Sequence, residues 1–129
     1  MSRQSLAQRR AKDALACVEK HTGQFYGKYV SYVEALPATI LMNGLGQACA
    51  TLLSKAEGKL TEPHGLLYAD LQGWLCGHDA AAPYPKAPNL MKAIVEKEQR
   101  DYLHAQAEAL EYLVWLKKFA NAYLESGND

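Results

Sequence analysis

The sequence predicts an all-α protein: a single-domain bundle of about six helices, with a central uncharged helix and a long C-terminal helix. Three observations predict it. Ala35 to Ser54 contains no charged residue, and Leu36, Ile40, Leu41, Gly44, Leu45, Ala48, Cys49 and Leu52 recur at the spacing of one helix face. A second run, about Glu98 to Leu124, keeps that period through Leu103, Ala107, Leu110, Leu113, Val114, Leu116, Ala120 and Leu124. The one stretch with strand-like content, Gln24 to Ala35, stands alone, and a lone strand has nothing to pair with.

The elements follow in order. Helix one, about Ser5 to His21, turns Leu6, Ala7, Ala11, Ala14, Leu15 and Val18 inward, and its alanines favour helix. Thr22-Gly23 ends it. His21 then sits where a protonated imidazole favours a helix C-terminus. Gln24 to Ala35 is rich in aromatic and β-branched residues, and Tyr26, Tyr29, Val30 and Val33 fit a short helix.

The central helix spans Leu36 to Lys55, with Pro37 in its first turn. Its interior glycines, Gly44 and Gly46, each weaken a helix by about 1 kcal/mol relative to alanine and need a reason. Close approach of a neighbouring helix at Gly44 and of a partner's backbone at Gly46 supplies one, and a kink is the competing explanation. Gly-x-Gly is not read as a phosphate loop, since no strand precedes it and no third glycine follows. Pro, Asn, Gln and paired Gly also interrupt the run too often for a membrane span.

Ala56 to Glu62 is a turn, and Thr61 is expected to cap a helix over about Pro63 to Cys76, with Leu67, Leu71, Trp74 and Leu75 inward. Residues 78–88 carry three prolines and form a loop long enough to be functional or mobile. A short helix, about Asn89 to Glu96, precedes the last one. That last helix measures roughly 40 Å at 1.5 Å per residue, the length of a domain this size.

At 129 residues the chain fits one domain, 1–129. Lys plus Arg equals Asp plus Glu, 14 each, so whole-chain charge does not select a partner. The distribution does. Residues 1–28 carry six cations against Asp13 and Glu19, a net of +4 that leaves −4 elsewhere. A basic N-terminal helix on an acidic body is a candidate anion-binding face. Cys17, Cys49 and Cys76 are odd in number, which predicts free thiols in a reducing compartment. Met1 to Lys12 is polar and basic with no apolar region after it, so no signal peptide is expected and the location is cytoplasmic.

Catalytic patterns are thin. Cys76-Gly-His78-Asp79 with His64 lacks the paired ligands of a zinc site, so no metal or cofactor is expected. Arg100 and His104 miss by one residue the Arg-x4-His spacing of some helical ribonucleases. Asp70, Glu108 and Glu111 read as ordinary solvated carboxylates, and no nucleophile elbow is present. Basic residues remain. Arg9, Arg10, Lys12, Lys20, Lys117 and Lys118 form the candidate phosphate-contacting set. Tyr26, Tyr29, Tyr32 and Tyr84 read as core or interface residues rather than as base-stacking platforms.

One segment adds a family resemblance. Leu-Pro-x-x-Ile-Leu-x-Asn-Gly-Leu-Gly-Gln-Ala, Leu36 to Ala48, resembles the signature of the small subunit of the Cmr complex, the type III-B CRISPR–Cas effector that cleaves RNA under RNA guidance. Arg10-Ala11-Lys12, Tyr26-x-x-Tyr29-x-x-x-Val33, Leu66 to Leu75 and Ala109 to Ala122 resemble it too. The resemblance implies a small all-α fold without nuclease activity. It implies partners as well: other Cmr subunits including neighbouring copies of itself, guide RNA and target RNA, with no membrane. Arg10, Lys12 and Lys117 match the family most firmly. Asn43, Gly44, Gly46, Gln47, Trp74 and Trp115 form the structural or interface set, with Asn43 and Gln47 expected to bond within the core, the favoured reading, or to face a neighbouring copy. The competing readings are a helical ribonuclease or other small enzyme, and a homo-oligomeric adaptor without RNA contact.

Overall fold

A computed structural model describes residues 3–22 and 27–124. The described residues form six helices: α1 (Leu6–His21), α2 (Gly27–Asn43), α3 (Leu45–Ala56), α4 (Pro63–Leu75), α5 (Leu90–Glu96) and α6 (Gln99–Tyr123). The all-α expectation is met. Ser5 opens α1 with a capping box, its hydroxyl accepting from Gln8 N–H while the Gln8 side chain accepts from Ser5 N–H. Gly23 to Tyr26, expected to hold the stop of helix one and the start of the next, lie outside the described residues.

The expected central helix is two helices. α2 runs through the predicted boundary at Leu36, so Pro37 lies in a helix interior and not in a first turn. An interior proline removes one ladder hydrogen bond and costs about 3 kcal/mol. Burial of Val33, Leu36 and Ile40 carries the helix across it. The break comes at Gly44, whose φ of 89° and ψ of 157° suit only glycine. Gly44 N–H closes the last turn of α2 on the Ile40 carbonyl at 2.7 Å. A glycine has no side chain to cap the next helix, so α6 supplies the acceptors. Leu45 N–H donates to Gln106 Oε1 at 2.9 Å, and Gly46 N–H donates to Tyr102 Oη at 2.9 Å. Gly46 therefore admits side chains of the same chain, where a partner's backbone was expected; a Cβ there would meet Ile94 Cγ2 at 3.4 Å.

Side-chain capping recurs. Glu62, rather than the expected Thr61, accepts from His64 N–H at the start of α4. Asn89 caps α5 through Lys92 N–H, while Gln72 and Tyr68 of α4 accept from Leu90 and Met91. The segment 78–88 is folded down: Tyr84 N–H bonds the Leu75 carbonyl, Lys86 N–H bonds that of Gly77, and Pro83 and Tyr84 are buried.

α6 is the axis. α1 lies parallel to it, since Arg10 meets Glu108 and Asp13 meets Tyr112 in the same order. α2 lies antiparallel on another side, with Pro37 beside Leu113 and the Gly44 corner beside Tyr102 and Gln106. α4 closes the core against α3 and α2. Some stripe residues expected inside are outside: Leu41 is 71% exposed, Leu103 57% and Val114 49%. Asn43 and Gln47 are exposed as well, which corrects their expected core role.

Two glycines give opposite expectations. Gly44→Ala forces a strained φ and sets a Cβ 2.9 Å from Tyr102 Oη, so a loss of about 2 kcal/mol is expected on urea unfolding. Gly73→Ala meets open space at an exposed interior position of α4 and should add about 0.5–1 kcal/mol. Equal effects at the two positions would remove the corner argument.

Candidate functional site

The inward face of α1 is a polar seam. Arg10, Asp13, Cys17 and His21 recur at helical spacing, and each has a partner across the interface. Arg10 grips Glu108 through two bonds, Nε to Oε2 at 2.6 Å and Nη2 to Oε1 at 2.9 Å, and Trp74 Nε1 donates to the same carboxylate at 2.8 Å. Burial raises the Glu108 carboxyl pKa, but the hydrogen bonds from Arg10 and Trp74 and the charges of Arg10 and His104 bring it below the usual 4.5. One turn on, Tyr112 Oη donates to Asp13 Oδ1 at 2.6 Å and lies 3.4 Å from Cys17 Sγ, while its ring stacks on Trp74. At the end of the helix Asp70 Oδ2 lies 3.0 Å from His21 Nε2 and accepts from Tyr29 Oη at 2.6 Å.

The His21–Asp70–Tyr29 cluster has the residue types of a proton relay. Its members are 6%, 5% and 0% exposed, so the cluster is buried and its polar groups bond one another. Asp70 and Glu108 are therefore not the solvated carboxylates expected, and His21, in the last turn of α1 as expected, is buried beside Asp70. The sequence signal was present: Glu108 falls on the buried stripe Ala105, Ala109, Tyr112, Leu116, and a carboxylate there demands a cation.

The basic set divides. Arg10 is committed to Glu108. Arg9 binds Asp79 through Nε at 2.8 Å and Nη2 at 3.3 Å, at 35% side-chain exposure, and the Arg9 hydrogen bond lowers the Asp79 pKa. Arg9 and Lys12 flank a hollow of about 500 Å3 between α1 and the end of α4, which His78 also lines. Lys12 and Lys20 are exposed on α1, and Lys117 and Lys118 on α6. The lysines of α6 border a different groove, between α6 and α2, which shares no lining residue with the first. Of the interface set, Trp74 is buried, and Trp115 is half-buried with its ring 6.0 Å from Phe119. Tyr29 and Tyr84 are buried and Tyr32 stacks on His64, while Tyr26 lies outside the described residues.

Among the described residues no group of three His, Cys, Asp or Glu side chains is placed to hold a metal ion, and no helix is long and apolar enough to cross a membrane. The three cysteines are buried free thiols, and burial pushes Cys17 and Cys49 up to about 12 and Cys76 to about 11.

The six described helices, four of them (α1, α2, α4 and α6) joined by the polar seam, form a small helical module with cations on two separate faces. The model of the family described as CRISPR-associated protein (Cas_Cmr5) matches residues 6–123, and the chain belongs to that family. The fold is similar to the crystal structure of a CRISPR-associated Cmr5 family protein from Thermus thermophilus, with a TM-score of 0.73 and 28% identity over 95% of this chain and 100% of that one. The family expected from Leu36 to Ala48 is thus shown, and with it a subunit of a type III-B Cmr complex.

Two expectations follow. Arg10→Ala strands a buried carboxylate and should cost about 3–5 kcal/mol, whereas Arg9→Ala, at a more exposed pair, should cost under about 1 kcal/mol. Both lowered carboxyls stabilise the fold fully above their ordinary values and lose that contribution as pH falls through their folded values. Melting temperature should therefore drop on acidification below about pH 4.5, with a shallower slope in Glu108→Gln. A pH-independent difference between wild type and Glu108→Gln would refute the linkage. Separately, a thiol reagent at pH 8 should leave the native protein unlabelled on the time scale that labels all three cysteines after unfolding.

Proposed function

We propose that this chain is a non-catalytic, cytoplasmic structural subunit of the Cmr complex, stacking with neighbouring copies along it and helping to hold guide and target RNA. The observation that carries the RNA contact is the division of charge on α1. The inward cation, Arg10, is used within the fold. Lys12 and Lys20 project outward, and among the described residues neither is in an ion pair. Arg9 joins them by its partly exposed guanidinium. Such groups fit phosphate oxygens, which carry no base identity. This suits a subunit that grips whatever guide the complex carries.

Arg10, part of the sequence-derived set, has a supporting role in this reading: it holds α1 in place so that its outer face is presented. Copies of the chain along the complex repeat that face.

The test is RNA retention by the assembled complex across a salt titration, comparing wild type with the Lys12→Ala/Lys20→Ala variant. Each phosphate contact on single-stranded RNA contributes about 0.7 to the slope of log affinity against log salt, so the double variant should lower the slope by about 1.4 per copy engaged. An unchanged slope with full incorporation of the variant would leave an adaptor without RNA contact.

A further inference from the structure

Among the described residues seven large apolar side chains are markedly exposed, and four of them, Leu41, Met42, Leu103 and Val114, lie on α2 and on the stretch of α6 that packs against it. Scattered exposed apolar residues need no explanation, but a cluster on one face does. The face has a shape. Between the two helices lies a groove of about 610 Å3, floored by Pro37, Leu110, Leu113 and Val114 and bordered by Lys117 and Lys118. Leu41, one turn beyond Pro37, and Leu103, two turns before Leu110, extend it by helical periodicity. Among the described residues no carboxylate lines it.

We propose that this α2/α6 groove docks one amphipathic helix of another protein subunit, a helix whose apolar ridge fills the floor and whose carboxylates meet Lys117 and Lys118. The proposal rests on the reading that the chain is built into a complex, and it assigns these two lysines to a protein partner instead of RNA. A groove between two helices accepts the ridge of a third. The border fixes the charge of the incoming helix, since lysines that face no carboxylate among the described residues complement acid.

RNA fits poorly: bases bind single-strand proteins by stacking on aromatic rings, and this floor is aliphatic. A second copy fits poorly as well. The other exposed apolar residues, Leu60, Val95 and Tyr123, come from a turn, α5 and the end of α6, so they form no single helical ridge.

The experiment places a photo-crosslinking amino acid at Val114 in the complex assembled from all its subunits with labelled guide RNA. The expected adduct is to a different protein subunit, mapping to a helical segment with apolar residues at three- and four-residue spacing beside Asp or Glu. An adduct to RNA, an adduct to a second copy, or no adduct overturns the proposal. In parallel, Leu41→Glu/Val114→Glu alters two exposed positions, so its circular dichroism should match wild type, and its incorporation into the complex should fall at least tenfold through repulsion. Lys117→Glu/Lys118→Glu should fall likewise, while Lys12→Ala/Lys20→Ala should incorporate normally. Equal incorporation of wild type and the groove variants defeats the groove and leaves the structural-subunit reading standing. Failure of the wild type to incorporate defeats that reading and the groove together.

Discussion

The position of the first helix rests first on one buried carboxylate. Glu108 sits on the inner stripe of α6, where an unpaired charge would be severely unfavourable, and Arg10 and the Trp74 indole together satisfy it. That arrangement fixes three elements at one point, α1, α4 and α6. The buried apolar residues of α1 are small, Ala14, Cys17 and Val18, with Leu6 only partly buried against the core, and small side chains alone would permit sliding. Asp13 with Tyr112 and His21 with Asp70 repeat the constraint at successive turns. A seam of matched polar pairs has one register, whereas an alanine stripe has several.

The same seam explains how a basic helix serves the rest of the molecule. Its cations are sorted by direction. The one that points in is neutralised, and the surface is left with Lys12, Lys20 and a partly exposed Arg9. The α6 lysines belong to another face, beside aliphatic side chains rather than beside α1. Net charge by segment, +4 over residues 1–28, described a total and could not describe this sorting.

The fold class, the number of helices and the long final helix were legible because periodicity sustained over several turns reports burial directly. The Leu36 to Ala48 motif was also legible, and it led to the right family. What failed was local. Gly44 had two sequence interpretations, and the single expectation at Pro37 was wrong, since buried neighbours there outweigh the lost hydrogen bond. Gly44 breaks the helix because Gln106 and Tyr102, far along the chain on α6, supply the missing acceptors. No local rule contains them. Leu41, Leu103 and Val114 carry the right period on a face that the other described residues leave exposed, because periodicity reports which residues share a face and not whether another element covers it. Asp70 and Glu108 were misread for the opposite reason: a carboxylate was assumed to be wet, although its place on an apolar stripe said otherwise.

The corner at Gly44 has a consequence for how the chain is made. Its two open donors, on Leu45 and Gly46, are answered by α6. The seam of α1 likewise closes on α6, with Arg10 and Glu108 separated by 98 positions. An all-helical protein normally relies on contacts close in sequence and folds quickly for that reason. Here the last of the six described helices completes both the first helix and the central corner. Until it emerges, α1 presents an unmatched arginine and α3 lacks its cap. The native register is thus set only once α6 has emerged, and truncation within α6 removes partners of α1, α2, α3 and α4 at once.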